Sequence, residues 1–312
     1  MQKFSEILFE EFNTSVALGY FDGLHKGHRK VIGAAVHQKK NGLLPVCFTF
    51  AQSPKSILKG TSECSVMTEE DKLKILSKIG VEHIYCVDFK SIMNMPAEEF
   101  VKEIIINKLH AKYVVCGFNY RFGKNGAGDC EMLKKICTAN NIDIEVIPPE
   151  RCGDEVVSST LIRSLISRGE VRSANELLCS EFGFCSVIEH GKRLGRKLGT
   201  PTINQPLCAQ LVVPRFGVYA SAVTLEDGEI YCGVTNIGVK PTVGSFLPLC
   251  ETWMPEYKGG EIYGETADIR LLDFIRDEKK FNGIDELKNA IFDNAKTAKV
   301  IFNQMYKNQS MT

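Results

Sequence analysis

Two imidazoles three residues apart are the first chemically suggestive feature of this 312-residue chain. His25 and His28 stand in GYFDGLHKGH (19–28), which follows an apolar run and opens a helical pattern. At a helix start, residues three apart share a face. The same helix end offers free N–H groups and the positive end of the dipole, a ready anion site. Gly19, Gly23 and Gly27 let the backbone pass close to a ligand. A pair of imidazoles there can hydrogen-bond a phosphate oxygen whose charge grows in a transition state. Lys26 and Arg29 add positive charge. A lone HxxH would more simply be two surface histidines on a turn. The strand-turn-helix setting and the added Phe21-Asp22 weigh against that.

A second cluster lies at 191–206, GKRLGRKLGTPTINQP. Gly191, Gly195 and Gly199 allow a tight loop, and Lys192, Arg193, Arg196 and Lys197 give it positive potential suited to phosphates. It is not a Walker A loop, because GxxxxGK[ST] is absent. Two further segments carry polar groups at element ends. VSSTLIR (157–163) puts Ser158, Ser159 and Thr160 at a helix start, where hydroxyls and N–H groups can meet phosphate. GFNYRFG (117–123) ends a strand, and its aromatics equally suit a local core.

Composition narrows the class. There are 38 basic and 38 acidic residues, 44% hydrophobic and 24% charged. These are ordinary globular proportions and exclude a disordered or collagen-like chain. The zero net charge argues against a general nucleic-acid binder, whose phosphate contacts need a basic surplus. No two of the twelve cysteines are three apart, so no CxxC is available for zinc or redox work. Several sit in apolar runs, which predicts free thiols in a reducing cytosol. MQKFSEILFEEF lacks the apolar core of a signal peptide, and no apolar stretch approaches 18 residues. The expectation is a soluble, cytoplasmic protein with no membrane or nucleic-acid partner.

The elements that must position these groups change character midway. In the first half, strands (15–21, 43–50, 81–89, 111–118 and 142–148) alternate with helices at about 27–40, 68–80 and 96–110 and with a fourth capped by Asp129. That grammar predicts βαβ units and a parallel sheet, with ligands beyond the carboxyl ends of the strands. A short helix follows Ser158, and VRSANELL is helical. From about 183 the chain is β-rich, with turns such as Glu226-Asp227-Gly228, until helical spacing returns at 284–306. This predicts a small antiparallel barrel or sandwich with a C-terminal helix. The boundary falls at 170–183.

The motifs together resemble one family. GxFDGxHxGH is similar to the adenylyltransferase half of the bacterial bifunctional riboflavin kinase/FMN adenylyltransferases (FAD synthetases). VSSTLIR resembles that family's SSTxIR motif, and GFNYRFG its flavin-side loop, with Asn119 where Asp is common. GKRLGRKLGTPTIN resembles the GxxxGRxLGxPTAN signature of riboflavin kinases, with Ile203 for the usual Ala. GVTNIGVKPT, then Glu251, then a YG-containing strand and RDEKKF follow in the family's order.

The resemblance implies an α/β architecture. A Rossmann-like nucleotidyltransferase domain with a parallel sheet would span 1–182, and a small antiparallel β-barrel kinase domain with a C-terminal helix 183–312. It implies phosphorylation of riboflavin to FMN, then adenylylation of FMN to FAD with release of pyrophosphate. The substrates would be ATP, riboflavin and FMN, with Mg²⁺ accompanying ATP. His25, His28 and Arg163 would be catalytic in the first domain, Arg163 adding charge for the β- and γ-phosphates. Gly19, Phe21, Asp22, Gly23, Gly27, Ser158, Ser159 and Thr160 would bind its ATP. In the second domain Gly191, Lys192, Gly195, Arg196, Leu198, Gly199 and Pro201 would bind ATP. Thr202 and Asn204 would hold the metal, since neutral oxygens suit a hard cation that shares phosphate oxygens. Glu251 would be the base. Asn119, Phe122, Arg276 and Phe281 would contact flavin, and Trp253 would either flank the ring system or sit in the core.

One departure stands out. Family members read TF-x-PHP after the second strand, but this chain reads TFAQSP (49–54), with Ser53 in place of His and Pro54 kept. This motivates an alternative: a riboflavin kinase with a degenerate adenylyltransferase domain. A nucleotidyltransferase for another acceptor and a non-catalytic flavin-binding protein are further alternatives.

Overall fold

The computed structural model describes residues 2–4, 12–61, 63–191, 199–239 and 248–307. Contacts divide the chain into two units. The first comprises 1–63 and 69–159; the second comprises 64–68 and 160–312.

The first unit holds strands β1 (Gln2–Phe4), β2 (Thr14–Leu18), β3 (Leu44–Phe50), β4 (His83–Val87), β5 (Ala111–Gly117) and β6 (Asp143–Ile147). They form one sheet in the order β1-β4-β3-β2-β5-β6, and every pairing is parallel. β2 is buried along its whole length. It reads TSVAL rather than alternating, as expected of a central parallel strand covered on both faces. Its two hydroxyls are paired inside: Thr14 Oγ1 donates to Leu109 O and Ser15 Oγ to Ala35 O.

The helices of this unit are α1 (Lys26–His37), α2 (Pro54–Lys59), α3 (Glu69–Ile79), α4 (Phe89–Ile92), α5 (Ala97–Glu99) and α6 (Cys130–Ala139). α5 runs into a wider π-type stretch at Phe100–Lys108, whose Ile104 and Ile105, with Leu109 just beyond, share a buried cluster with Val114 and Cys116 of the sheet. Asp129 caps α6 by accepting from Met132 N–H at 3.0 Å. A two-residue hairpin follows, β7 (Arg151–Cys152) with β8 (Glu155–Val156). The short pieces β1, α2, α4 and the β7–β8 hairpin were not expected from periodicity; each is too short to show a repeat.

The second unit contains α7 (Ser159–Arg168, all but its first residue) and α8 (Val171–Leu178). α8 is tied to the strands by Asn175, which donates to Leu271 O and accepts from Phe182 N–H, both at 2.8 Å. The strands are β9 (Gly183–Val187), β10 (Thr202–Pro206), β11 (Gly217–Leu225), β12 (Ile230–Val239), β13 (Pro248–Trp253) and β14 (Thr266–Arg276). Their order is β10-β13-β12-β11-β14-β9, all antiparallel. The two edges approach each other: Glu189 bridges to Asn204, and Gln205 Nε2 donates to Ser186 O at 2.6 Å. The result is a nearly closed six-stranded barrel. Inside it, the hydroxyls of Ser221, Thr235 and Thr252 form a buried chain at 2.8 Å spacings. Helix α9 (Ile284–Phe302) lays Ala298 and Phe302 on Val218, Ala220, Val234 and Leu272 of the sheet.

No helix among the described residues is long and apolar enough to cross a membrane. All twelve cysteines are described, and none forms a disulfide.

Candidate functional site

In the first unit, the turn between β2 and α1 carries the histidine pair. Phe21 and Leu24 hold positive φ of 57° and 42° although neither is glycine. Such strain at a turn marks a functional site more often than a passive loop. Both side chains are buried, so packing holds the turn in place. Gly19 has no alternative, because a Cβ there would lie 2.8 Å from the Phe21 ring. The ring of Phe21, expected at the nucleotide, meets His28 edge-on at 5.4 Å.

His25 is the N-cap of α1, and its Nδ1 accepts the His28 N–H over a long 3.4 Å. The two imidazoles stack, with centroids 3.6 Å apart and planes 20° from parallel. Burial lowers the pKa of both: His25 from 6.5 to about 4, and His28 well below its ordinary value, with the neighbouring His25 and Lys72 adding to the effect. Both rings are therefore neutral at pH 7. Since Nδ1 of His25 is an acceptor, its proton sits on Nε2. The Nδ1 of His28 is buried and has no hydrogen-bond partner.

A stability prediction follows from the His25 shift. The unfolded chain takes up this proton near pH 6.5 and the folded chain only near 4. The contribution is therefore whole above pH 6.5 and is lost as pH falls towards 4, by at most about 3 kcal/mol. Denaturant melts of the wild-type chain should lose stability across that window, and His25→Asn should flatten the slope. Equal slopes would contradict the assignment.

One further residue of the first unit reaches this turn. Ser159, at the start of α7, donates from Oγ to Asp22 O at 2.8 Å. Asp22 is buried. Arg163 lies one turn further along α7. Ser53, where the family's His would stand, accepts from Ser56 N–H at 3.4 Å and caps α2, with Pro54 at its first position. The missing imidazole is thus replaced by a helix cap. At the flavin-side loop, Asn119 and Phe118 are exposed, whereas Phe122 is buried beside Tyr120 and Phe100. Phe122 belongs to the core there.

In the second unit, strand register assembles the site. Asn204 of β10 pairs with Glu251 of β13, and Glu251 pairs with Asn236 of β12. Directly paired residues share a face, so one carboxylate lies between two amides. Continuing across, Asn236 pairs with Val218 and Val218 with Arg276. Arg276, far away in sequence, is in the same row. Its Nε donates to Asn294 Oδ1 of α9 at 3.2 Å, and its guanidinium stands 5.5 Å from the Phe281 ring centre. Trp253 is buried and meets Phe292 of α9 edge-on at 5.3 Å.

Asn204 itself is buried, and its Oδ1 has no hydrogen-bond partner among the described residues. An orphaned carbonyl oxygen is what a hard cation would satisfy. Thr202, two residues earlier on β10, faces the same way. Gly191 abuts the Asn204 amide, and a Cβ there would fall 2.3 Å from Nδ2. Gly199 and Pro201 are exposed beside β10. Lys192, Arg193, Gly195, Arg196, Lys197 and Leu198 lie outside the described residues, as do Lys240, Pro241 and Thr242 of the NIG-x-xPT pattern.

Two groups escaped the sequence reading. Asn236 is part of the NIG pattern, yet only register places it beside Glu251. Lys72 lies in the first turn of α3, and nothing in EEDK marks it.

Comparison with known proteins bears on both units. The FAD synthetase family model matches residues 9–161, and the riboflavin kinase family model matches 178–302. A Bacillus subtilis protein named bifunctional riboflavin kinase/FMN adenylyltransferase is 34% identical over 90% of this chain and 90% of its own. Proteins of the same name from Listeria monocytogenes and Escherichia coli K12 are 33% and 30% identical, covering 89% and 92% of this chain and 88% and 92% of their own. A crystal structure from Streptococcus pneumoniae, described as a macrolide-efflux protein, superposes with a TM-score of 0.85 at 29% identity, covering 96% of this chain and 98% of that one.

Proposed function

The chain belongs to the family of bifunctional riboflavin kinase/FMN adenylyltransferases, and from that premise we propose which residues perform each step. Residues 183–312 phosphorylate riboflavin to FMN with ATP. Residues 1–182 join AMP from a second ATP to FMN, giving FAD and pyrophosphate. The observation that carries the reading is that each half builds its own phosphate-handling constellation, the His25–His28 pair and the Asn204–Glu251 row.

In the kinase step, Glu251 takes the proton of the ribityl 5′-hydroxyl as that oxygen bonds to the γ-phosphorus and the bond to the β-phosphate oxygen breaks. Thr202 and Asn204 would hold Mg²⁺, which neutralises phosphate charge when bound. The orphaned Asn204 oxygen supports that role. Gly191, Gly199 and Pro201, with Lys192, Gly195, Arg196 and Leu198, bind ATP. Arg276 and Phe281 border the flavin. Gly191→Ala should push the Asn204 amide aside, and the Mg²⁺ concentration for half-maximal kinase rate should rise about tenfold, as expected for a displaced positioning group. An unchanged Mg²⁺ titration would remove Asn204 from the site.

In the adenylyl step, an oxygen of the FMN phosphate attacks the α-phosphorus and pyrophosphate leaves. The nucleophile is already an anion, so no strong base is needed. Catalysis is alignment and charge stabilisation. His25 and His28 donate neutral N–H groups to phosphate oxygens. Ser158, Ser159, Thr160 and Arg163 meet the β- and γ-phosphates at the start of α7. Gly19, Gly23 and Gly27 bring backbone close, and Phe21 and Asp22 hold the turn. Asn119 sits on the flavin side.

The substrates are small molecules: riboflavin, FMN and ATP. We place the enzyme in the cytoplasm, in keeping with twelve cysteines outside any disulfide. The test is a time course with riboflavin, ATP and Mg²⁺, resolved by chromatography. FMN should appear first and FAD later. FMN accumulating without FAD would favour a kinase with a retired N-terminal half, which TFAQSP motivates. No product would overturn the assignment.

A further inference from the structure

Lys72 reaches from α3 to the carboxyl ends of the two central strands β2 and β3. Its Nζ donates to Tyr20 O at 2.7 Å and to Thr49 Oγ1 at 3.0 Å, and stands 5.2 Å over the Tyr20 ring. Thr49 Oγ1 also donates to Tyr20 O, at 2.8 Å. An ammonium has three donors, and two are used. Among the described residues Lys72 makes no ion pair. The carboxylates of Asp22 and Glu69 act on it only at longer range, and the thiols of Cys47 and Cys86 also face it. His28 lies near enough to feel its charge.

A buried ammonium with no carboxylate in ion-pair contact is costly, and a perturbed titratable group at the ligand end of a sheet is a functional-site candidate. Ligands of parallel sheets bind at this end of the strands. We propose that Lys72 contacts a phosphate oxygen of the bound substrates during adenylyl transfer, as a third polar group beside His25 and His28. This rests on the placement of adenylyl transfer at the histidine pair. Burial lowers the pKa of Lys72, and an arriving phosphate opposes that shift, so binding tightens the charge it meets. The phosphate is that of FMN or that of the ATP triphosphate.

The test compares Lys72→Met, Lys72→Arg and Thr49→Val in the full chain, with riboflavin phosphorylation as the internal control. One charged hydrogen bond to phosphate corresponds to a loss of about 10–100-fold. Lys72→Met should lower kcat/KM for FMN to FAD by that factor, with FMN formation unchanged, and Lys72→Arg should retain more activity than Met. A raised KM for FMN identifies the FMN phosphate. A raised Kd for inorganic pyrophosphate, measured by calorimetry, identifies the triphosphate. Thr49→Val removes the hydroxyl yet keeps the ammonium, and should cost less than about threefold, within the range of one neutral hydrogen bond.

If Thr49→Val loses as much as Lys72→Met, Lys72 merely pins Tyr20 and the proposal fails. It also fails if Lys72→Met, or Lys72→Gln should the Met chain not melt cooperatively, keeps wild-type turnover and both affinities. His28→Ala separates the two layers: loss of FAD there with none in the Lys72 variants rejects Lys72 alone, whereas FAD formation unaffected by His28→Ala rejects the site itself.

Discussion

Glu251→Gln leaves a chain that no longer converts riboflavin to FMN but still converts supplied FMN to FAD. Gln has the shape of Glu and keeps the place between Asn204 and Asn236, so the barrel should fold as before. What it lacks is a proton acceptor. General-base contributions run at about 10²–10⁴-fold, and a loss of that size in FMN formation is expected. Chromatographic rates from riboflavin and from FMN, measured on the same preparation, check both halves of the statement. FMN formation within a few-fold of wild type would mean that the 5′-hydroxyl proton goes elsewhere.

His28→Ala should give the mirror image, with FMN accumulating and FAD absent. The variant removes the ring proposed to donate an N–H to phosphate, the same ring that stacks on His25 and meets Phe21. Losing a preorganised donor to developing charge costs about 10²–10³-fold, and misalignment of His25 adds to it. The kinase half of the same chain reports whether the protein is still intact. His28→Gln keeps a donor at similar reach and should recover part of the rate. Undiminished FAD formation in His28→Ala would displace adenylyl transfer from this turn.

The larger elements were legible because each has a period long enough to register. Strands such as Leu44–Phe50 and helices such as Cys130–Ala139 lie within a residue or two of where apolar spacing and caps put them. The short pieces were not legible. Gln2–Phe4 is a strand only because β4 offers an edge to pair with, and QKF contains no such information. Pro54–Lys59 is a helix that begins at the residue replacing the expected His. Its Ser53 reads as a lost site residue in sequence and as an N-cap in the structure. Phe21, Phe122 and Trp253 show the converse. All three side chains are buried, which motif spacing did not convey.

Local spacing sufficed for the two architectures, their order and the chemical inventory: imidazoles at a helix start, hydroxyls and glycines at element ends, one carboxylate after PTIN. Those follow from local spacing, which short-range geometry enforces. Only the tertiary structure decided which groups meet and in what protonation state. Strand register put Asn236 and Arg276 in the row of Glu251 across separations that no motif spans. Burial made His25 and His28 neutral, and packing set Lys72 against Tyr20 O and Thr49 Oγ1 with no ion pair among the described residues. Desolvation and cross-strand pairing are sums over neighbours distant in the chain, and those neighbours exist only once the sheet and the barrel have formed.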